Sequence, residues 1–131
     1  MKYILILLMG AASFTSCKKQ NDYILPNGIY KGIFYRTAPW SDTAQVTLTI
    51  NGNHYSGESN KSRYPAICNG TFSINNGIAK FENSCPWTAD FDWTLILNGE
   101  YNYKNNNGKI EFSREYGDFA YYKDVYQLTK Q

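Results

Sequence analysis

The amino-acid sequence predicts an all-β protein: an eight-stranded antiparallel up-and-down barrel, with a two-sheet β-sandwich as the alternative. Three observations lead there. Tyr, Phe, Trp, Thr, Ile and Val dominate residues 27–131 while Ala and Leu are scarce, the composition of pleated, half-buried surfaces. No stretch holds a 3.6-residue apolar period for three turns, and Gly and Asn interrupt the chain regularly. Three of these interruptions are Asn-Gly, at 51–52, 76–77 and 107–108. Asn-Gly between alternating runs marks a two-residue hairpin, because a type I′ turn needs two residues at positive φ.

The elements follow in chain order. Met1-Lys2 is a short positive start, and Tyr3–Ala12 is nearly unbroken apolar chain. A spanning helix needs roughly 20 apolar residues, so this run has the layout of an export signal. Small residues follow, ending at Ser16-Cys17. Here the chain resembles a bacterial lipoprotein signal, in which small residues precede a cysteine that is acylated. The resemblance implies a signal peptide over 1–16, removal of that peptide, and palmitate-type acylation of Cys17. It also implies the cell envelope of a Gram-negative-type bacterium, the domain tethered to a membrane (the outer one foremost) in the periplasm or at the cell surface. A cleaved secretory signal with an unmodified cysteine is the other reading. Acyl chains contribute about 0.8 kcal/mol per buried methylene, so several on one cysteine anchor firmly. Residues 17–26 then form an acylated tether that ends at Pro26, and 27–131 form one β-barrel domain.

The middle hairpin, 68–85, is the clearest. A turn at Asn76-Gly77 sets Phe72 against Phe81 and Ile74 against Ala79 on one face. Thr71 against Glu82 and Ser73 against Lys80 fall on the other, as a half-buried hairpin requires. The same count sets Cys68 against Cys85 as a non-hydrogen-bonded pair, with Cα atoms about 4.5 Å apart. A disulfide is favoured over two buried thiols or a metal pair, since neither a histidine nor a third cysteine stands near. Closing a loop of this length contributes about 3 kcal/mol in the chain-entropy model. Around 51–52, Val46, Leu48, Ile50 and Tyr55 share a face, opposite Thr47, Thr49, His54 and Ser56. Around 107–108, Trp93, Leu95, Leu97, Tyr101 and Tyr103 line up with Ile110 and Phe112, and Lys104 opposes Glu111. Asn106 also permits a three-residue loop there. Residues 28–37 and 118–129 supply a first and a last strand, which must pair to hide their edges.

Gly28-x-Tyr30 at the start of the first strand, eight consecutive strands and the closing Val125–Lys130 give the domain its resemblance to lipocalin-like, or calycin, barrels. That resemblance implies a closed barrel that either packs its interior or holds one small ligand. The meander puts all three Asn-Gly turns at one pole, where the tether enters. The longer connections gather at the other, braced by Cys68 and Cys85. They carry Trp40, Arg63, Tyr64, Trp87, Asp90 and Asp92, the candidate ligand- or partner-binding residues. The interior is expected to hold Tyr55, Phe72, Phe81, Trp93, Tyr101, Tyr103 and Phe112.

Charge narrows the function classes. Thirteen Lys and Arg, one of them Lys2 in the leader, face eleven Asp and Glu without clustering. Nucleic acid is therefore not an expected partner. Neither a nucleophile elbow nor a His/Glu cluster is present, and no cofactor, metal or catalytic residue is expected. Asp90 and Asp92 alternate and would share a side of an extended segment, the arrangement of an acid–base pair; loop aspartates usually serve turns instead. The expected role is non-catalytic. The lipid anchor makes the membrane one partner, and the aromatic loops would bind a small amphipathic or hydrophobic ligand, a glycan or a protein. The alternative is a packed barrel acting in protein–protein contact. Ser56-Gly57 followed by Arg63-Tyr64 is similar to the Ser-Gly-x-Arg-Tyr motif of bacterial lysozyme-inhibitor lipoproteins, with five residues between Gly57 and Arg63 instead of one.

Overall fold

The computed structural model describes residues 22–38, 42–116 and 122–131. Among these residues nine strands form one antiparallel sheet: β1 (Asp22–Tyr23), β2 (Gly28–Arg36), β3 (Thr43–Asn51), β4 (His54–Ser59), β5 (Asn69–Asn75), β6 (Ile78–Asn83), β7 (Gly99–Asn106), β8 (Lys109–Tyr116) and β9 (Tyr122–Lys130). Strands β2 to β9 run up and down in sequence order, and β2 pairs with β9 over seven residue pairs, Tyr30–Lys130 to Arg36–Asp124. The wall is therefore a closed eight-stranded barrel and not two stacked sheets. Closure demands close approach at Gly32, where a Cβ would collide with the Gln127 carbonyl. The closure is uneven. β4 and β5 share only three pairs, His54–Thr71, Tyr55–Gly70 and Ser56–Asn69. Beyond them β1 takes over, pairing Asp22 with Asn75 and Tyr23 with Ile74.

Two turns form as the Asn-Gly dipeptides require. Asn76 and Gly77 sit at φ 50° and 75°, and Asn107 and Gly108 at φ 53° and 88°. Lys104 opposes Glu111, so the last hairpin has a two-residue loop. The first hairpin turns one residue later than its Asn-Gly predicts. Asn51 pairs with His54, the loop is Gly52-Asn53, and only Gly52 lies at positive φ. That is the pattern of a type II′ turn, which needs glycine at its first central position alone.

The alternation along each strand fills the barrel with rings. Phe81 is their hub, edge-on to Tyr55 (5.3 Å), Tyr101 (5.7 Å) and Phe112 (5.1 Å) and stacked on Phe72 (5.8 Å). Tyr126 meets Phe34 at 4.7 Å and Tyr101 at 5.9 Å. Such pairs add about 0.5–1.5 kcal/mol each beyond the area they bury. Trp93 departs from the expected interior: it is 56% exposed. Residues 93–97 are not strand, because Asp92 accepts from the Thr94 amide and starts a single 3₁₀ turn, Trp93–Leu95. An Asx-type bond of this kind competes directly with a strand ladder.

Both poles are stoppered. At the tight-turn pole, residues 22–26, expected to belong to the tether, pack on the barrel. Leu25 enters the core with 2% exposure, Tyr30 donates to the Pro26 carbonyl at 2.7 Å, and the Gly52 amide donates to Asn27 Oδ1 at 2.8 Å. At the other pole Cys68 and Cys85 form the disulfide. Their Cα atoms are 6.2 Å apart, wider than a ladder pair, because they lie just past the last paired residues, Gly70 and Asn83. The same pole is knitted by a parallel bridge between Ala66 and Ile96, in which the Ala66 amide donates to the Leu95 carbonyl and the Leu97 amide to the Ala66 carbonyl, each at 3.0 Å.

Candidate functional site

The long connections converge on the pole that carries the disulfide, around a layer of charge. Arg36 and Asp124 are the last inward residues of β2 and of the facing part of β9, with 9% and 1% exposure. Arg36 donates from Nε to Asp124 Oδ1 at 2.6 Å and from Nη2 to Oδ2 at 2.9 Å, a bidentate pair. It also reaches Asp92 at 2.9 Å and Thr94 Oγ1 at 3.0 Å. The Asp124 carboxylate holds the guanidinium firmly protonated against the opposing effect of burial. Burial would raise the Asp92 carboxyl, but the Thr94 hydroxyl and amide together with Arg36 outweigh it and pull it below the usual range. The 3₁₀ turn is thus pinned to the barrel wall through its capping residue.

A second arginine lies beside this layer. Arg114, inward-facing on β8, spans the Tyr101 ring at 4.4 Å and the Tyr116 ring at 4.7 Å. It donates to the carbonyls of Asn98 (2.6 Å), Thr94 (2.7 Å) and Ile96 (3.4 Å), and Tyr116 donates to the Thr94 carbonyl at 2.8 Å. Among the described residues no carboxylate forms an ion pair with Arg114, and its Nε has no hydrogen-bond partner. Burial and the Asp124 charge push the Tyr116 hydroxyl up, so it stays a neutral donor.

Arg114 and Tyr116 floor an open cleft of 690 Å³, walled by Trp87, Trp93 and Ile96 and edged by the Cys85-Pro86 segment. Both indoles are fixed by their N–H groups. Trp93 Nε1 donates to the Thr88 carbonyl at 2.8 Å, and Trp87 Nε1 to Asn83 Oδ1 at 3.3 Å. Their N–H edges are thus bonded to the protein, and both side chains line the cleft. Trp87 is further braced edge-on by Phe91 at 5.7 Å.

The candidate residues separate on this frame. Trp87 lines the cleft. Asp92 positions the turn that carries Trp93. Arg63 and Asp90 pair at 2.8 Å on the neighbouring loops, with Arg63 over the Phe91 ring at 5.1 Å. The Thr88 hydroxyl and Arg63 draw the Asp90 carboxyl down to about 2. Asp90 and Asp92 are each engaged by a different arginine, Arg63 and Arg36. Tyr64 is a strut: its ring meets Phe34 edge-on at 5.2 Å, and its hydroxyl donates to the Asp42 carbonyl at 2.8 Å. Trp40 and Cys17 lie outside the described residues. Ser56 faces outward on β4, and the Arg63 guanidinium is held by Asp90.

Arg36, Arg114, Tyr116 and Asp124 were not among the sequence candidates. One signal existed: Arg36 and Asp124 fall on the apolar alternation of their strands, where a charge requires a partner. No family model, curated protein or solved structure matches the chain, and the site is read from its geometry.

Proposed function

We propose that the chain is a lipid-anchored, non-catalytic protein of the bacterial cell envelope, a lipocalin-like barrel whose rim cleft binds a glycan carrying an acidic group. The cleft carries this reading: two indoles with tied edges beside an arginine that, among the described residues, forms no ion pair, although Asp124 stands opposite it in the ladder. The negative face of an indole attracts the C–H-rich face of a pyranose ring, and rings already fixed lose little freedom on binding. Arg114 supplies the charge for a carboxylate or sulfate substituent, after Arg36 has been consumed by Asp124. The cleft volume falls within the roughly 300–1,000 Å³ of ordinary ligand sites. A hydrophobic ligand along the barrel axis has less support, because Phe81 and its neighbours occupy that space. Membrane attachment rests on the lipoprotein-like leader and Cys17, with the outer membrane of a Gram-negative-type bacterium as the favoured site.

Titrating the full chain with neutral and uronic-acid oligosaccharides, and following tryptophan emission, tests the reading. Saturable quenching by the acidic series, lost in Trp93→Ala, is expected. An unresponsive emission with both series would end the glycan proposal. Retained inhibition of lysozyme in a residual-activity assay would instead favour the protein-inhibitor alternative.

A further inference from the structure

The geometry points to a second interaction surface, at the opposite pole: the tight-turn end of the barrel itself rests on the bilayer. The inference relies on the anchored reading above and extends it from a tethered domain to an oriented one. Five large hydrophobic residues are exposed in the described structure, and four of them, Tyr23, Ile24, Ile29 and Ile78, belong to this end. The fifth, Trp93, belongs to the cleft. Exposed apolar residues scattered singly are ordinary; these four gather at one pole.

The local structure shows how they arise. The segment after β1 crosses the barrel mouth, and neighbouring side chains point to opposite sides of it. Leu25 points in and is 2% exposed, while Ile24 points out and is 74% exposed. Ile24 and Tyr23 border a groove of 460 Å³ shared with Phe72 and Ile74, so the apolar surface continues from the plug onto the wall. Ile78 follows the Asn76-Gly77 turn directly, and Ile29 lies one residue inside the first strand. Exposed Lys104, Lys109 and Lys130 flank the turns and chain end at this pole. Glu111 sits opposite Lys104 and accepts from Gln127 at 3.2 Å. Apolar residues ringed by lysines suit an interface with anionic headgroups.

The tether sets the reach. Cys17 precedes Asp22 by five residues, at most about 18 Å of extended chain. An acyl group on Cys17 therefore keeps this pole near the headgroups, and contact between them needs no bending of the barrel. Seated this way, the cleft with Trp87 and Trp93 faces away from the membrane.

Depth-dependent quenching tests the contact. The full chain is placed in vesicles of phosphatidylethanolamine and phosphatidylglycerol with brominated acyl chains, alongside Ile24→Trp and Ile78→Trp variants; intact mass records acylation of Cys17 separately. The parent chain, whose own tryptophans are at 40, 87 and 93, should lose little emission. Each variant should lose most of the emission its added indole contributes. Two substitutions at exposed sites guard against one being poorly folded. If the chain is acylated and vesicle-bound but neither variant is quenched beyond the parent, the docking surface is refuted and the anchor stands. If the variants are quenched without acylation, the surface stands and the anchor falls. Neither acylation nor quenching overturns both, and a parent quenched as strongly as the variants overturns the orientation.

Discussion

Removing Arg36 should damage this protein more than removing its partner. Asp124 is 1% exposed, and both its carboxylate oxygens take their charge-assisted bonds from Arg36. In Arg36→Met the buried carboxylate loses both bonds and keeps only Arg114, its unbonded cross-strand neighbour on β8, as a nearby cation, a change that should cost about 3 kcal/mol. In Asp124→Leu, Arg36 keeps Asp92 at 2.9 Å and Thr94 at 3.0 Å, and Asp92 is half exposed. Losing two bonds to a charged group while retaining others should cost about 2 kcal/mol. The double variant Arg36→Met/Asp124→Leu removes both charges together, so neither is left buried without its bidentate partner. It should be more stable than Arg36→Met alone. Urea unfolding followed by far-ultraviolet circular dichroism measures all three. For a domain of this size, about 3 kcal/mol also appears as a fall of roughly 12 °C or more in Tm. The reasoning is wrong if Arg36→Met unfolds within about 1 kcal/mol of the parent, or if the double variant loses as much as the two single ones together.

Reducing Cys68–Cys85, separated by 17 residues, should lower the unfolding free energy by about 3 kcal/mol, seen as an earlier urea midpoint under reductant. Leu25→Ala should cost about 3 kcal/mol by emptying the plug, whereas Ile24→Ser beside it should change stability by less than about 0.5 kcal/mol; equal effects would contradict the plug. Gly32→Ala places a methyl group against the Gln127 carbonyl of the neighbouring strand, and soluble, fully folded protein from that variant would be unexpected. Burial pushes Tyr55 up to about 12 and raises Tyr101 and Tyr126 as well. The folded state then keeps protons that the unfolded chain releases from about pH 10, so stability is full below that pH and falls as pH rises through it. Urea midpoints that do not move between about pH 9 and about pH 11 would contradict this.

Much of the barrel was readable because strand alternation carries parity. The first hairpin turns at Gly52-Asn53 instead of Asn51-Gly52, yet Ile50 and Tyr55 still share the inner face. A shift of two in the pairing leaves every side chain on its own side, whereas a shift of one would have reversed them all. The disulfide followed from counting outward from Asn76-Gly77. Residues 93–97 mimic a strand because Trp93, Leu95 and Leu97 alternate, while the decisive bond comes from the polar residue before them, Asp92. The site was harder. Arg114 and Trp93 meet through loops of no fixed length, and the apolar alternation that marks a wall says nothing of where a loop returns. Arg36 and Asp124 are 88 residues apart and become neighbours only once the barrel has closed.

The three-pair junction of β4 with β5 gives the wall a weak stitch in an unexpected place. The two strands that close the barrel, β2 and β9, are sewn over seven pairs, while the contact between β4 and β5 holds by three. Two self-contained hairpins flank it, one of them locked by sulfur. When the cylinder breathes it should open here like a cuff, with Asp22 and Tyr23 as its button. A pull on whatever precedes Asp22 would act first on that fastening.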